Sequence, residues 1–202
     1  MPKKIAPSFY FIGNHSVLDF INTKIAVGGK PVDLLADFSD LLEWLVKARF
    51  IIEVEANEYS RTWGSGKEGE AVVTTARALR SALLSLVEQR NAGRDVSEHL
   101  EQINGLLRDR VITTKLVQME NGFAEKREVK VRKPTDLLAP IAEAAIEFFS
   151  HCEMQLVKKC ENPDCVLLFY DQSKNATRRW CSQKTCGNRM KVAAFLERRK
   201  NQ

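Results

Sequence analysis

No stretch of the sequence approaches the roughly 20 consecutive apolar residues that a membrane-spanning helix needs. Cysteine is absent before position 152. Histidine is scarce: His15, His99 and His151 are scattered and form no metal-ligand pair. Phosphate-binding loops are missing as well. In "GSGKEGE" position 61 is Arg where the first glycine should stand, and Glu68 follows the lysine where Ser or Thr is needed. Together these absences argue against an enzyme. The opening "MPKKIAPSFYFIG" has two lysines but neither an apolar core nor a small-residue cleavage site, so no export signal is expected. The expectation is a soluble cytoplasmic protein that does not engage a membrane.

What is present is unevenly distributed. The 202 residues are 44% hydrophobic and 28% charged, enough for one core or for a core plus a small satellite. From Lys158 onward, 11 basic residues face four acidic ones, a local +7, whereas the whole chain carries +5. The excess positive charge therefore lies in the last 45 residues, as in an appended polyanion-binding module. The five cysteines, Cys152, Cys160, Cys165, Cys181 and Cys186, share that quarter. Without an export signal, such clustering points to metal rather than disulfides.

Four of the cysteines have the spacing Cys160-x4-Cys165-x15-Cys181-x4-Cys186. Two close pairs about fifteen residues apart meet the requirement of one structural, four-thiolate zinc ion. The intervening residues read as a hairpin: a strand Val166–Tyr170, a turn near Asp171–Asn175, and a return through Arg178–Trp180. A helix is expected from about Ser182, with Val192, Ala193, Phe195 and Leu196 as its apolar face. Knuckle, hairpin and helix make a treble-clef-like finger, too small to fold without its metal. Cys152 beside His151 reads as packing rather than a fifth ligand. Trp180 reads as finger core rather than a base-stacking platform.

Residues 1–155 read as a mainly helical domain, and 156–202 as the finger, giving a mainly α (α+β) chain. In "HSVLDFINTKIA", Val17, Leu18, Ile21 and Ile25 have helical spacing after a Ser16 cap, and "GGKP" breaks the helix. Ser39 is a candidate cap for "SDLLEWLVKARF", with Leu41, Leu42, Leu45 and Val46 inward. "EVEANEYSRTW" reads as a short helix. Glu70–Arg90 is the clearest helix, ended by "NAGRD", and Ser97 is a weaker cap for the next. "VITTKLVQMENGFAEKREVKV" reads as the one β-hairpin, turned at Asn-Gly. A last helix follows, with Pro140 in its first turns. Residues near 153–159 lack Gly, Pro and Ser, so the finger is expected to dock on the helical domain.

The tetrapeptide Cys186-Gly187-Asn188-Arg189, with Cys160, Cys165 and "RRWC" (178–181), resembles the CGNR zinc-finger family of bacterial proteins. "FIGNHSVLDFINT" (11–23) and "DLLAPIAEAA" (136–145) resemble the start and last helix of the ABATE domain that precedes this finger. Asn14 departs from the pattern, where a second glycine is usual. The resemblance implies a stress-induced transcription regulator whose finger binds DNA.

Candidate nucleic-acid contacts are Lys184, Asn188, Arg189 and Lys191 on the helix, Arg178 and Arg179 before it, and Arg198, Arg199 and Lys200 in the tail. Asn188 and Arg189 have an equal alternative, stabilising the finger itself. An RNA-binding or protein-interaction module is the second reading, because fold does not settle the partner. The helical domain could sense a small molecule, with His15, Asp19, Asn22 and Trp44 as candidate lining, or could dimerise. The plainer reading is that those four fix local structure. A homodimer fits such a regulator, but no heptad or exposed apolar stripe is evident in the sequence.

Overall fold

The N-terminal helices wrap a single aliphatic and aromatic core in the computed structural model, which describes residues 8–89, 95–108 and 110–200. Helix α1 (Ser16–Ile21) is short and almost wholly buried. α2 (Phe38–Lys47), α3 (Glu53–Trp63) and the long α4 (Lys67–Gln89) follow. Then come α5 (Ser97–Arg108), the hairpin β3 (Val111–Met119) and β4 (Gly122–Lys130), and α6 (Ala139–His151). The expected stop of the long helix at Arg90 and "NAGRD" lies outside the described residues apart from Asp95. No helix among the described residues is long and apolar enough to cross a membrane.

The 3.6-residue periodicity decides the core. Val72, Ala76, Leu79, Leu83, Leu86 and Val87 of α4 are all buried, in one cluster with Leu41 and Leu45 of α2 and Ile141, Ala145 and Phe148 of α6. Each large side chain hidden this way contributes about 1.5–3 kcal/mol. Trp44 lies at the centre, fully buried against Phe20 and Phe50. Pro140 sits in the first turn of α6, after a 3-10 turn over Pro134–Leu138. There its missing N–H costs nothing.

The expected helix caps move upstream. His15, not Ser16, caps α1: its Nδ1 accepts from the Val17 N–H at 3.2 Å. Asp37, not Ser39, caps α2 and forms a reciprocal capping box with Asp40. Asp95 accepts from both the Ser97 N–H and its hydroxyl at the start of α5.

A larger correction concerns residues 24–33. Ile25 does not extend the α1 stripe. It lies on β1 (Lys24–Val27), which pairs antiparallel with β2 (Lys30–Asp33). Gly28 and Gly29 make the connection with φ of +57° and +76°. Two consecutive left-handed residues are what the tightest hairpin turn requires. The helical domain thus holds two hairpins, not one. Asp33 at the end of β2 receives both guanidinium nitrogens of the buried Arg80, which also donates to Thr23 Oγ1 at 2.9 Å.

Candidate metal centre and basic helix

The finger begins with β5 (Val157–Lys159), which pairs antiparallel with β6 (Leu168–Tyr170). This pairing corrects the expected hairpin. The partner of the Val166–Tyr170 region precedes the first cysteine, and Arg178–Trp180 is not a strand. The turn between β5 and β6 is therefore the metal knuckle. The Cys160 N–H donates to Leu167 O, and the Cys165 N–H to Asn162 O. "ENPD" supplies more than a tight turn. Asn162 Oδ1 accepts from the Asp164 N–H, while its Nδ2 points 3.3 Å from Cys186 Sγ.

A single π-helical turn, Gln183–Gly187, carries Cys186 inward and leads into α7 (Asn188–Lys200). The Sγ atoms of Cys160, Cys165, Cys181 and Cys186 all lie within 4.8 Å of one another. Cys165–Cys181 is 3.8 Å and Cys181–Cys186 is 3.6 Å. A tetrahedral ion with metal–sulfur bonds of about 2.3 Å sets its thiolates about 3.8 Å apart. The four residues therefore fit one tetrahedral metal, and Asn162 supplies the outer-shell donor such a site uses to orient a thiolate. The thiols already polarise one another. The neighbouring Cys181 thiol holds Cys165 down to about 5, while the same contact pushes Cys181 up. Burial pushes Cys160 up.

Below the metal cluster, Asp171 organises the loop to the second cysteine pair. Its buried carboxylate accepts from Lys158 Nζ (2.7 Å), Ser173 Oγ (2.6 Å) and the Arg178 N–H (2.9 Å). Burial works to raise its pKa. Lys158, Ser173 and the Arg178 N–H outweigh that and hold it far below the ordinary carboxylate range.

The basic residues divide into two groups. Arg178 stacks over the Phe169 ring at 4.1 Å and donates to Trp180 O, Cys181 O and Ile12 O. Its guanidinium is consumed by the fold. Arg179 pairs with Glu161 and lies over Trp180, which is half-buried against the finger's apolar cluster. Asn188 Nδ2 donates to Lys184 O one turn back, bracing the π turn. Lys184, Arg189, Lys191, Arg198, Arg199 and Lys200 are exposed, and no described carboxylate pairs with them. Of Asn188 and Arg189, then, only the first is bonded within the finger. The helix also corrects an expectation. Val192, Phe195 and Leu196 of the expected apolar face are 58%, 52% and 51% exposed, so α7 presents that face outward rather than packing it on the finger.

The finger docks on the start of the helical domain. Asn22, buried, donates to Leu168 O (2.8 Å) and accepts from the Leu168 N–H (2.9 Å). The Tyr170 N–H donates to Gly13 O, and Asn14 Nδ2 to Tyr170 O. Ile25 and Leu34 join Leu167, Phe169 and three of the metal-site cysteines in one apolar cluster.

The four residues considered as a ligand lining each have a place in the fold. Asp19 accepts from the Gly13 N–H at 2.7 Å, and burial pushes its carboxyl up. Asn22 holds β6, and Trp44 is core. His15 faces Glu147 Oε2 at 2.7 Å, and ligand atoms of His15, Glu147 and Cys152 lie within 4.8 Å of one another. Because Nδ1 accepts from Val17, the proton sits on Nε2 and is donated to Glu147, leaving that nitrogen no lone pair for a metal. Sequence reasoning missed Asn162, Asp171 and the structural use of Arg178. Asp171 was visible only as a turn former, while Asn22 follows the plainer reading, that it fixes local structure.

The fold is thus a helical domain joined to a four-cysteine finger with a basic terminal helix. Comparison with known families gives the class. Residues 14–151 match the ABATE model, described as "Putative stress-induced transcription regulator", and residues 157–199 match the CGNR zinc finger. The chain belongs to the ABATE family and ends in a CGNR zinc finger. No curated protein matches it.

Proposed function

We propose that the chain is a zinc-loaded, DNA-binding transcription regulator acting in a stress response, with a binding rather than a catalytic role. Four thiolates at tetrahedral separations suit zinc and leave no open coordination position for chemistry. The observation that carries the reading is the basic face of α7. Lys184, Arg189, Lys191, Arg198, Arg199 and Lys200 project from the finger without a described carboxylate partner. Arg189 is the best placed for base edges, because it follows the last ligand at the rigid end of the helix. The tail would hold phosphates. In this reading the helical domain is the sensing or dimerising part.

The test is metal analysis followed by gel shift against genomic fragments at rising salt. One zinc per chain is expected, with an affinity that falls as salt rises. Replacing Arg198, Arg199 and Lys200 by Gln should reduce the log–log salt slope by about 3. A zinc-loaded protein with no affinity for DNA at low salt overturns the proposal. The exposed Val192, Phe195 and Leu196 favour one alternative, a protein-interaction finger. Purified protein free of nuclease-sensitive absorbance, retaining one protein partner, would establish it instead. Co-purifying RNA would move the reading to RNA.

A further inference from the structure

A cavity of about 790 Å³ lies beneath the β3–β4 hairpin, away from the finger. Its volume falls within the range of small-molecule sites. The floor is apolar: Phe50, Ile51, Tyr59, Leu137 and Pro140. Strand alternation makes the roof. Lys115 pairs in register with Lys126, Thr113 with Glu128, and Val111 with Lys130, so these side chains share one face of the hairpin. The three lysines and Glu128 line the cavity.

Charge on the roof is unbalanced, three lysines to one carboxylate. Lys115 and Lys126 share one carboxylate, Glu128, at 2.7 and 3.2 Å. Lys130 has no carboxylate partner among the described residues. The other two acids on the lining, Glu55 and Asp136, lie off the hairpin, and Asp136 has Arg132 Nε at 3.9 Å. Glu55 accepts from the Ile52 N–H at the start of α3, and Asp136 accepts from the Arg132 and Lys133 N–H groups. Ammonium donors are therefore in excess on the roof, opposite Phe50, Ile51 and Tyr59, a placement that suits an anion with an apolar body.

We propose that this cleft binds a small organic anion, with a carboxylate or phosphate held by Lys115, Lys126 and Lys130 and an aromatic or aliphatic body on Phe50, Ile51 and Tyr59. The site gives the helical domain a ligand independently of whether the finger binds DNA. It also moves the sensor role away from His15, Asp19, Asn22 and Trp44.

The test uses isotope-labelled, metal-loaded full chain and three probes: benzoate, phenyl phosphate and the neutral benzyl alcohol. Saturable amide shifts are expected at Ile51, Lys115, Lys126 and Leu137 with at least one anion. A response to benzoate alone identifies a carboxylate site, and to phenyl phosphate alone a phosphate site. Benzyl alcohol should bind at least about tenfold more weakly than the bound anion. Lys115→Gln/Lys130→Gln should weaken that anion by about tenfold or more while the spectrum elsewhere stays unchanged. Lys130→Gln alone gives a smaller loss in the same direction and guards against misfolding of the pair. Absence of saturable shifts, shifts confined to the finger, or equal binding of benzyl alcohol overturns the proposal.

Discussion

Asn14 has a φ of +60°, the left-handed region that side chains with a Cβ resist. Glycine enters it freely and asparagine with little penalty. That accounts for asparagine at a position where the family pattern has glycine. Asn14 also donates to Tyr170 O at 3.0 Å, which glycine cannot do. Asn14→Gly should keep the backbone and lose only this exposed bond. Asn14→Ala should cost about 1–2 kcal/mol, read from urea unfolding midpoints of the metal-loaded protein. The four metal ligands were legible because each pair closes within five residues. The distant partners of Asn22 and Arg178 were not, because Leu168 and Ile12 lie 146 and 166 residues away. Spacing along the chain carries no signal for such a contact.

Among the elements, a helix with one strong apolar stripe was legible, as α4 shows, although it starts at Lys67 rather than Glu70. Short elements were not. Ile25 satisfies a helical stripe and a strand equally, and only the left-handed pair Gly28-Gly29 decides for the hairpin. That hairpin ends in an ion pair with a consequence for stability. Arg80 is nearly buried, so Arg80→Ala leaves Asp33 without its bidentate partner. A loss of about 3 kcal/mol is expected in denaturant unfolding, since one partner of a largely buried pair is removed. The loop ordered by Asp171 gives a pH prediction. A carboxyl whose folded pKa is depressed adds stability that is full above its unfolded value, near 4, and is lost as pH falls through the folded one. Thermal unfolding of the wild type should therefore weaken steeply below about pH 4. Asp171→Asn should be less stable at neutral pH and lose less on acidification.

For the molecule as a whole, the seam between finger and helical domain joins the four-cysteine site to the fold. The metal should contribute on the order of 10 kcal/mol to a finger that cannot bury enough surface alone. Chelation, or Cys186→Ser, is expected to expose the β6 amides to hydrogen exchange, while the α2–α4–α6 core keeps its own protection. Exchange measured by mass spectrometry before and after metal removal checks this. Loss of protection throughout would mean that the two parts unfold as one.

The clasp of Asn22 on Leu168 also sets a timetable. At roughly 5–20 residues per second, a ribosome needs roughly 7–30 s to move from one to the other. For that interval the buried face of α1 that receives β6 has no partner. The finger can therefore close only after the residues it leans on have long been synthesised.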